Sequence, residues 1–113
     1  MPISIRKPDA TRPWQHVLEP LCGYLLLAER LWTEPDAFAE AWNFGPSADD
    51  AQPVRVVADL VCQHWGDAAR WTCPDASRPH EAAHLAVDAA KARARLGWTP
   101  RLRLREALDW TLR

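Results

Sequence analysis

Val17-Leu18-Glu19-Pro20-Leu21-Cys22-Gly23-Tyr24-Leu25-Leu26-Leu27-Ala28-Glu29-Arg30-Leu31-Trp32 is the stretch that decides the fold. Leu18, Leu21, Cys22, Leu25, Ala28 and Trp32 recur at helical spacing, which predicts an amphipathic helix over 17–32 with those residues turned to a core. Glu34-Pro35-Asp36 ends it, and a short turn of helix runs on through Phe38. Ala41-Trp42-Asn43-Phe44 then reads as a compact strand closed by the breaker pair Gly45-Pro46. A helix leading into a strand is the unit of mixed α/β architecture.

Working outward, residues 3–6 read as a short strand, followed by a loop carrying Pro8, Asp9 and Pro13. Asp49, Asp50 and Pro53 announce a second helix, because acidic side chains suit a helix N-terminus and proline fits the first turn. Its buried face would be Val54, Val57, Ala58, Val61 and Trp65, with Gly66 as the stop. Arg70 to Cys73 is a further short strand, Pro74 to Ala83 a polar loop, and His84 to Val87 a strand. Asp88 is placed to cap a helix over 89–96 that Gly97 ends in a left-handed turn before Pro100. A last helix begins near Leu104, with Leu104, Ala107, Leu108 and Thr111 on one side. The expected fold class is α/β (mixed), with four main helices and strands too few and too scattered to close a sheet. The chain therefore reads as an incomplete domain, part of something larger.

Charge narrows the partners. The formal net charge of −1 excludes a general binder of nucleic acid or of membrane surfaces. Lys91, Arg93, Arg95, Arg101, Arg103 and Arg105 crowd the last quarter, but acidic residues elsewhere balance them, and the run reads as a solvated face. The longest apolar run, Leu25 to Ala28, is too short to span a bilayer, and Met1 to Arg6 lacks the apolar core of a secretion signal. Three widely spaced cysteines, Cys22, Cys62 and Cys73, read as reduced, buried thiols of a cytoplasmic protein.

His80-Glu81-Ala82-Ala83-His84 matches the HExxH pattern of zinc hydrolases, where two histidines one turn apart hold the metal. Pro79 would put them on an opening turn, residues 84–87 read as extended, and the nearest third ligand, Glu106, belongs to another helix. Cys62, His64, Cys73, His80 and His84 match no stringent Cys/His spacing either, so no metal site is expected. Ser4, Ser47 and Ser77 lack a nucleophile-elbow context. The four glycines, Gly23, Gly45, Gly66 and Gly97, are too dispersed to bring backbone amides to a dinucleotide. Tyr24 is followed four residues later by Ala28, not by a lysine.

Two clusters remain: Thr11-Arg12-Pro13-Trp14-Gln15-His16-Val17 and Arg78-Pro79-His80-Glu81. An arginine beside a rigid Pro-Trp pair is a candidate phosphate clamp, since guanidinium is planar, permanently charged and bidentate.

These clusters, with Ile5-Arg6-Lys7-Pro8, Gly23 to Glu29, Ala41 to Pro46 and Lys91-Ala92-Arg93-Ala94-Arg95-Leu96-Gly97-Trp98-Thr99-Pro100, resemble the C-terminal part of the CDP-glucose 4,6-dehydratases. These are NAD-dependent extended short-chain dehydrogenases/reductases of the epimerase/dehydratase family, and the likeness covers nearly the whole chain. It implies a sugar-nucleotide-binding portion over 1–113, from a lyase that takes CDP-glucose to CDP-4-keto-6-deoxyglucose and water in deoxysugar and polysaccharide biosynthesis. The family's Gly-rich NAD loop and Tyr-x-x-x-Lys pair match nothing here. The resemblance thus implies a fragment, from a truncated or split gene, that is inactive alone, holds no cofactor, and lacks the last residues of the family's final helix. By the same resemblance, Arg12 contacts the nucleotide diphosphate, Asn43 a phosphate oxygen, and Arg78, His80 and Glu81 lie in the loop over the nucleotide. His84, where an aromatic is usual, and Ala89-Ala90 depart from the pattern. Expected partners are a CDP-glucose-like nucleotide sugar and a missing cofactor domain or a second copy. The alternative is a non-catalytic interaction module whose exposed apolar surface binds a partner or a separately encoded cofactor domain.

Overall fold

Helix α1 (Leu18–Thr33) forms where the spacing predicts it, but it turns its other side inward. Leu18, Leu21, Leu25 and Trp32 are 51, 43, 74 and 89% exposed. Glu19 and Gly23 are buried instead, and Leu26, Leu27 and Leu31 pack against a core of Phe38, Phe44, Ala89, Ala92, Leu96 and Trp98. The helix is apolar on both sides, so periodicity alone could not choose between them. Two particular residues choose. A Cβ at Gly23 would lie 2.4 Å from the Phe44 ring, so only glycine admits that ring to the helix surface. Glu19 supplies the anchor: its carboxylate accepts the backbone N–H groups of Arg101 (2.9 Å) and Leu102 (2.8 Å), while its carbonyl accepts the indole N–H of Trp98 (3.1 Å). A buried carboxylate is tolerated because backbone donors replace its water.

The structure is a computed structural model that describes residues 1–74 and 83–113. After α1 come α2 (Pro35–Phe38), α3 (Val54–Trp65), α4 (Ala90–Leu96) and α5 (Leu104–Leu112). Strand β1 (Ile3–Ser4) pairs in parallel with β4 (Trp71–Thr72), and β2 (Thr11–Pro13) pairs antiparallel with β3 (Ala51–Pro53). The architecture is thus mixed α/β, with two small two-stranded sheets among the described residues.

Several local expectations hold. Asp88 accepts the N–H of Ala90 at 2.8 Å at the start of α4, and Gly97 ends that helix at φ 66° in the left-handed region. Gly66, at φ 89°, stops α3. Other expectations fail for identifiable reasons. Strands β2 and β3 arise where proline-bearing loop and helix start were expected. The pairing Thr11↔Pro53 and Pro13↔Ala51 sets both prolines in a short ribbon with little ladder to lose. Asp49 and Asp50 form a single tight turn instead of opening α3, and buried Asp50 accepts from the Arg103 guanidinium at 2.8 Å. Residues 41–44 form no strand, and 84–87 are reduced to one parallel bridge, Thr11↔His84. The cysteines are free, but Cys22 and Cys73 are exposed and only Cys62 is half-buried, which corrects their expected burial. On α3 no residue is fully buried, and Trp65 is 63% exposed.

The chain is extended. Its Cα radius of gyration is 17.1 Å, against about 13 Å for a closed domain of this length. Its accessible surface is 7930 Å², against roughly 6,300 Å² for a closed monomer of this mass. No described helix is long and apolar enough to cross a membrane.

One ion cluster ties α4 to the end of α2. Glu40 accepts from Lys91 (2.8 Å) and from Arg95, while Lys91 stands 4.3 Å over the Trp42 ring and Arg95 5.3 Å over Phe38. The hydrogen bonds from Lys91 and Arg95 hold the Glu40 carboxyl below its ordinary value of 4.5. A carboxyl depressed by folding stabilises the native chain above its unfolded value and loses that contribution as pH falls through its folded one. The urea midpoint is therefore expected to fall below pH 4.5, and Glu40→Gln to flatten that acid limb while lowering the neutral plateau slightly. An unchanged limb in the variant would remove Glu40 from the cause.

Candidate functional site

Arg12 occupies the middle of β2, opposite Gln52 of β3, and is half-buried. One of its guanidinium nitrogens donates to the carbonyl of Thr11 at 2.8 Å. The strand that carries it is fixed from both sides. Across β3, the indole N–H of Trp14 donates to the Gln52 carbonyl at 2.9 Å. On the other edge, Thr11 N–H donates to Ala83 O (2.9 Å) and Leu85 N–H to Thr11 O (3.0 Å), so 83–85 runs alongside as a third, parallel strip. Rigid flanking of this kind is what a clamp for an anion needs, because a guanidinium held in place loses less entropy on binding.

The same segment reaches the second expected residue. Gln15, three positions after Arg12, donates its amide N–H to the Phe44 carbonyl at 2.9 Å, next to Asn43, which is itself exposed. The Gln15 carbonyl oxygen is buried with no donor among the described residues. His16 closes the segment: its Nδ1 accepts the N–H of Leu18 at 3.1 Å, and its ring meets the edge of Trp110 at 6.0 Å. Residues 11–16 are thus the spine of the candidate site, bonded to the neighbours of Asn43 on one side and to Ala83 on the other. Arg78, His80 and Glu81 lie outside the described residues; Ala83, the first described residue after them, is bonded to Thr11, the residue before Arg12.

A cleft of about 450 Å³ adjoins this spine but does not include Arg12 or Asn43. Pro13, Ala51, His84, Asp88 and Arg93 line it. Strand alternation puts Pro13 and Ala51 on the face of the ribbon opposite Arg12 and Gln52. Sequence reasoning missed this cleft, since His84 and Arg93 come to it from separate segments and share no motif.

The glycines do not fit a dinucleotide. Gly23 and Gly45 sit where a Cβ would strike Phe44 (2.4 Å) and Val87 (2.7 Å), and Gly66 and Gly97 terminate helices. Each serves packing or a chain reversal, and none opens a helix toward a pyrophosphate. Among the described residues, no group of three or more His, Cys, Asp or Glu is placed to hold a metal ion.

No family model matches the chain. It is 49% identical over 106 residues to the CDP-glucose 4,6-dehydratase of Salmonella typhimurium, a match covering 94% of this chain and 30% of that protein. The resemblance read from the Arg12–Leu21 block and the Leu96–Pro100 block therefore holds, and the chain is related to a portion of CDP-glucose 4,6-dehydratase.

Proposed function

With that relationship as the premise, we propose that this chain supplies the sugar-nucleotide-binding portion of a CDP-glucose 4,6-dehydratase, and that catalysis needs a cofactor-holding portion besides it. The identity of 49% over 106 residues carries the reading. The fixed position of Arg12 between β3 and the 83–85 strip supports it, because a diphosphate is bound best by a guanidinium with little freedom to lose. In this reading Arg12 binds the diphosphate and Asn43 a phosphate oxygen. Arg78, His80 and Glu81, taken from sequence alone, cover the nucleotide.

The reading is tested in a chimaera in which this chain replaces the matching segment of the Salmonella relative. The chimaera is expected to turn over CDP-glucose, and the isolated chain is not. In the chimaera, Arg12→Lys is expected to raise KM for CDP-glucose roughly tenfold or more, with a smaller effect on kcat, because lysine keeps the charge but loses the two-pronged hydrogen bonding. An unchanged KM would remove Arg12 from the nucleotide site. Turnover by the isolated chain would overturn the division of labour.

A further inference from the structure

Arg12 and Asn43 stand on separate segments, and the side chain of Gln15 joins those segments. Its amide N–H donates to the Phe44 carbonyl at 2.9 Å, and Asn43 is the residue before Phe44. Gln15 is a firm anchor because both of its neighbours are held. The Trp14 indole N–H donates to the Gln52 carbonyl at 2.9 Å, on the ribbon that carries Arg12. On the other side, His16 Nδ1 accepts the N–H of Leu18 at 3.1 Å, at the start of α1.

The segment it reaches depends on such a bond. Among the described residues, no backbone–backbone hydrogen bond involves 41–46, and side chains take their place. Lys91 donates to Ala41 O at 2.8 Å, and Gln15 donates to Phe44 O. The Phe44 ring lies against Gly23 and meets Tyr24 and Trp98 edge-on at 5.6 and 5.2 Å. Ring and carbonyl together fix the backbone frame of Phe44, from which Asn43 is one residue removed. The Gln15 amide does this at a cost. Its N–H side must face the Phe44 carbonyl, because two oxygens would repel each other. Its Oε1 is thereby left buried with no donor among the described residues. Methionine would fill nearly the same space without an unmet acceptor, so packing gives no reason for an amide here. The bond to Phe44 does.

We propose that Gln15 is a positioning residue for the nucleotide sugar: its bond to Phe44 O holds Asn43 in a fixed place relative to Arg12, so that both meet oxygens of one diphosphate. That Arg12 and Asn43 contact the diphosphate rests on the function proposed above. Gln15 acts through Asn43 and does not itself touch the ligand. The diphosphate of a nucleotide sugar offers only acceptors, and the buried Oε1 has nothing to take from it. The gain is in affinity. An asparagine already in place need not be ordered by the ligand, whereas one on a loosened segment must be, and that loss appears in KM.

The test is a double-mutant cycle in the chimaera, read as KM for CDP-glucose. Gln15→Met is expected to raise KM roughly fivefold with little change in kcat, the ratio that one hydrogen bond of ordinary strength corresponds to. Asn43→Ala should raise KM as well. In the Asn43→Ala background, Gln15→Met should add less than about twofold, because the side chain it positions is gone. The urea midpoint of the 113-residue chain should barely move with Gln15→Met, since the lost bond is offset by the lost unpaired acceptor. The same cycle read as Kd for CDP, by titration calorimetry, removes any dependence on turnover. A Gln15→Met that leaves KM and Kd unchanged where Asn43→Ala raises them overturns the proposal and leaves the function standing. So does a cycle whose two effects simply multiply, above all with a large fall in the midpoint, since Gln15 would then be a structural residue. A chimaera that shows the coupled cycle in CDP binding but turns over no CDP-glucose refutes the proposed function and leaves the positioning role intact. Unchanged KM and Kd in Asn43→Ala overturn both.

Discussion

Trp98→Ala is expected to lower the stability of the chain by about 4 kcal/mol, measured as a shift in the urea midpoint at constant slope. Trp98 is 2% exposed, its ring meets Phe44 edge-on at 5.2 Å, and its indole N–H donates to Glu19 O. Truncation would empty the middle of the core cluster between α1, α4 and the 41–46 segment. It would also loosen the 99–103 stretch that hangs on the Glu19 carboxylate. Trp98→Phe separates the two contributions. It keeps most of the ring volume and removes only the N–H donor, for an expected loss of about 1 kcal/mol beyond the small packing change. A loss under about 1 kcal/mol for Trp98→Ala would mean that this cluster is not what holds the chain together.

The second large effect runs against helix propensity. Gly23 lies inside α1, where alanine ordinarily gains up to about 1 kcal/mol over glycine. Here Gly23→Ala should instead destabilise by about 2 kcal/mol, because the added methyl would stand 2.4 Å from a Phe44 ring that is itself packed on Trp98 and Tyr24. Phe44→Leu in the same chain should recover part of that loss, giving a coupling well outside additivity. A stabilising Gly23→Ala would place the ring elsewhere.

These two residues also explain how far the sequence could be read. Helix α4, with Asp88 before it and Gly97 after it, was fully legible, because both end signals act within one turn of the chain. Helix α1 was legible in its extent but not in its orientation, since Leu18, Leu25 and Trp32 make as good a stripe as Leu27 and Leu31. The deciding contacts, from Glu19 to Arg101 and from Gly23 to Phe44, are long-range. Strands β2 and β3 stayed hidden because their prolines argue against strand locally, and only mutual pairing makes them one. At the candidate site, Arg12 and Asn43 came from the family resemblance. Gln15 lies within the Thr11–Val17 cluster singled out above, but its role in linking their two segments, through its bond to Phe44 O, emerges only from the structure.

The bond between Trp98 and Glu19 spans 79 positions. On the ribosome, α1 is made long before the tryptophan that seals its inner side, so both apolar flanks of the nascent helix face solvent for most of synthesis. Collapse must wait for a late-arriving ring, which makes the growing chain a natural client for chaperones that shield hydrophobic segments. Any stop codon before position 98 would leave a polypeptide with its outer flank bare and its inner flank covered only by what precedes the tryptophan, chiefly Phe38 and Phe44.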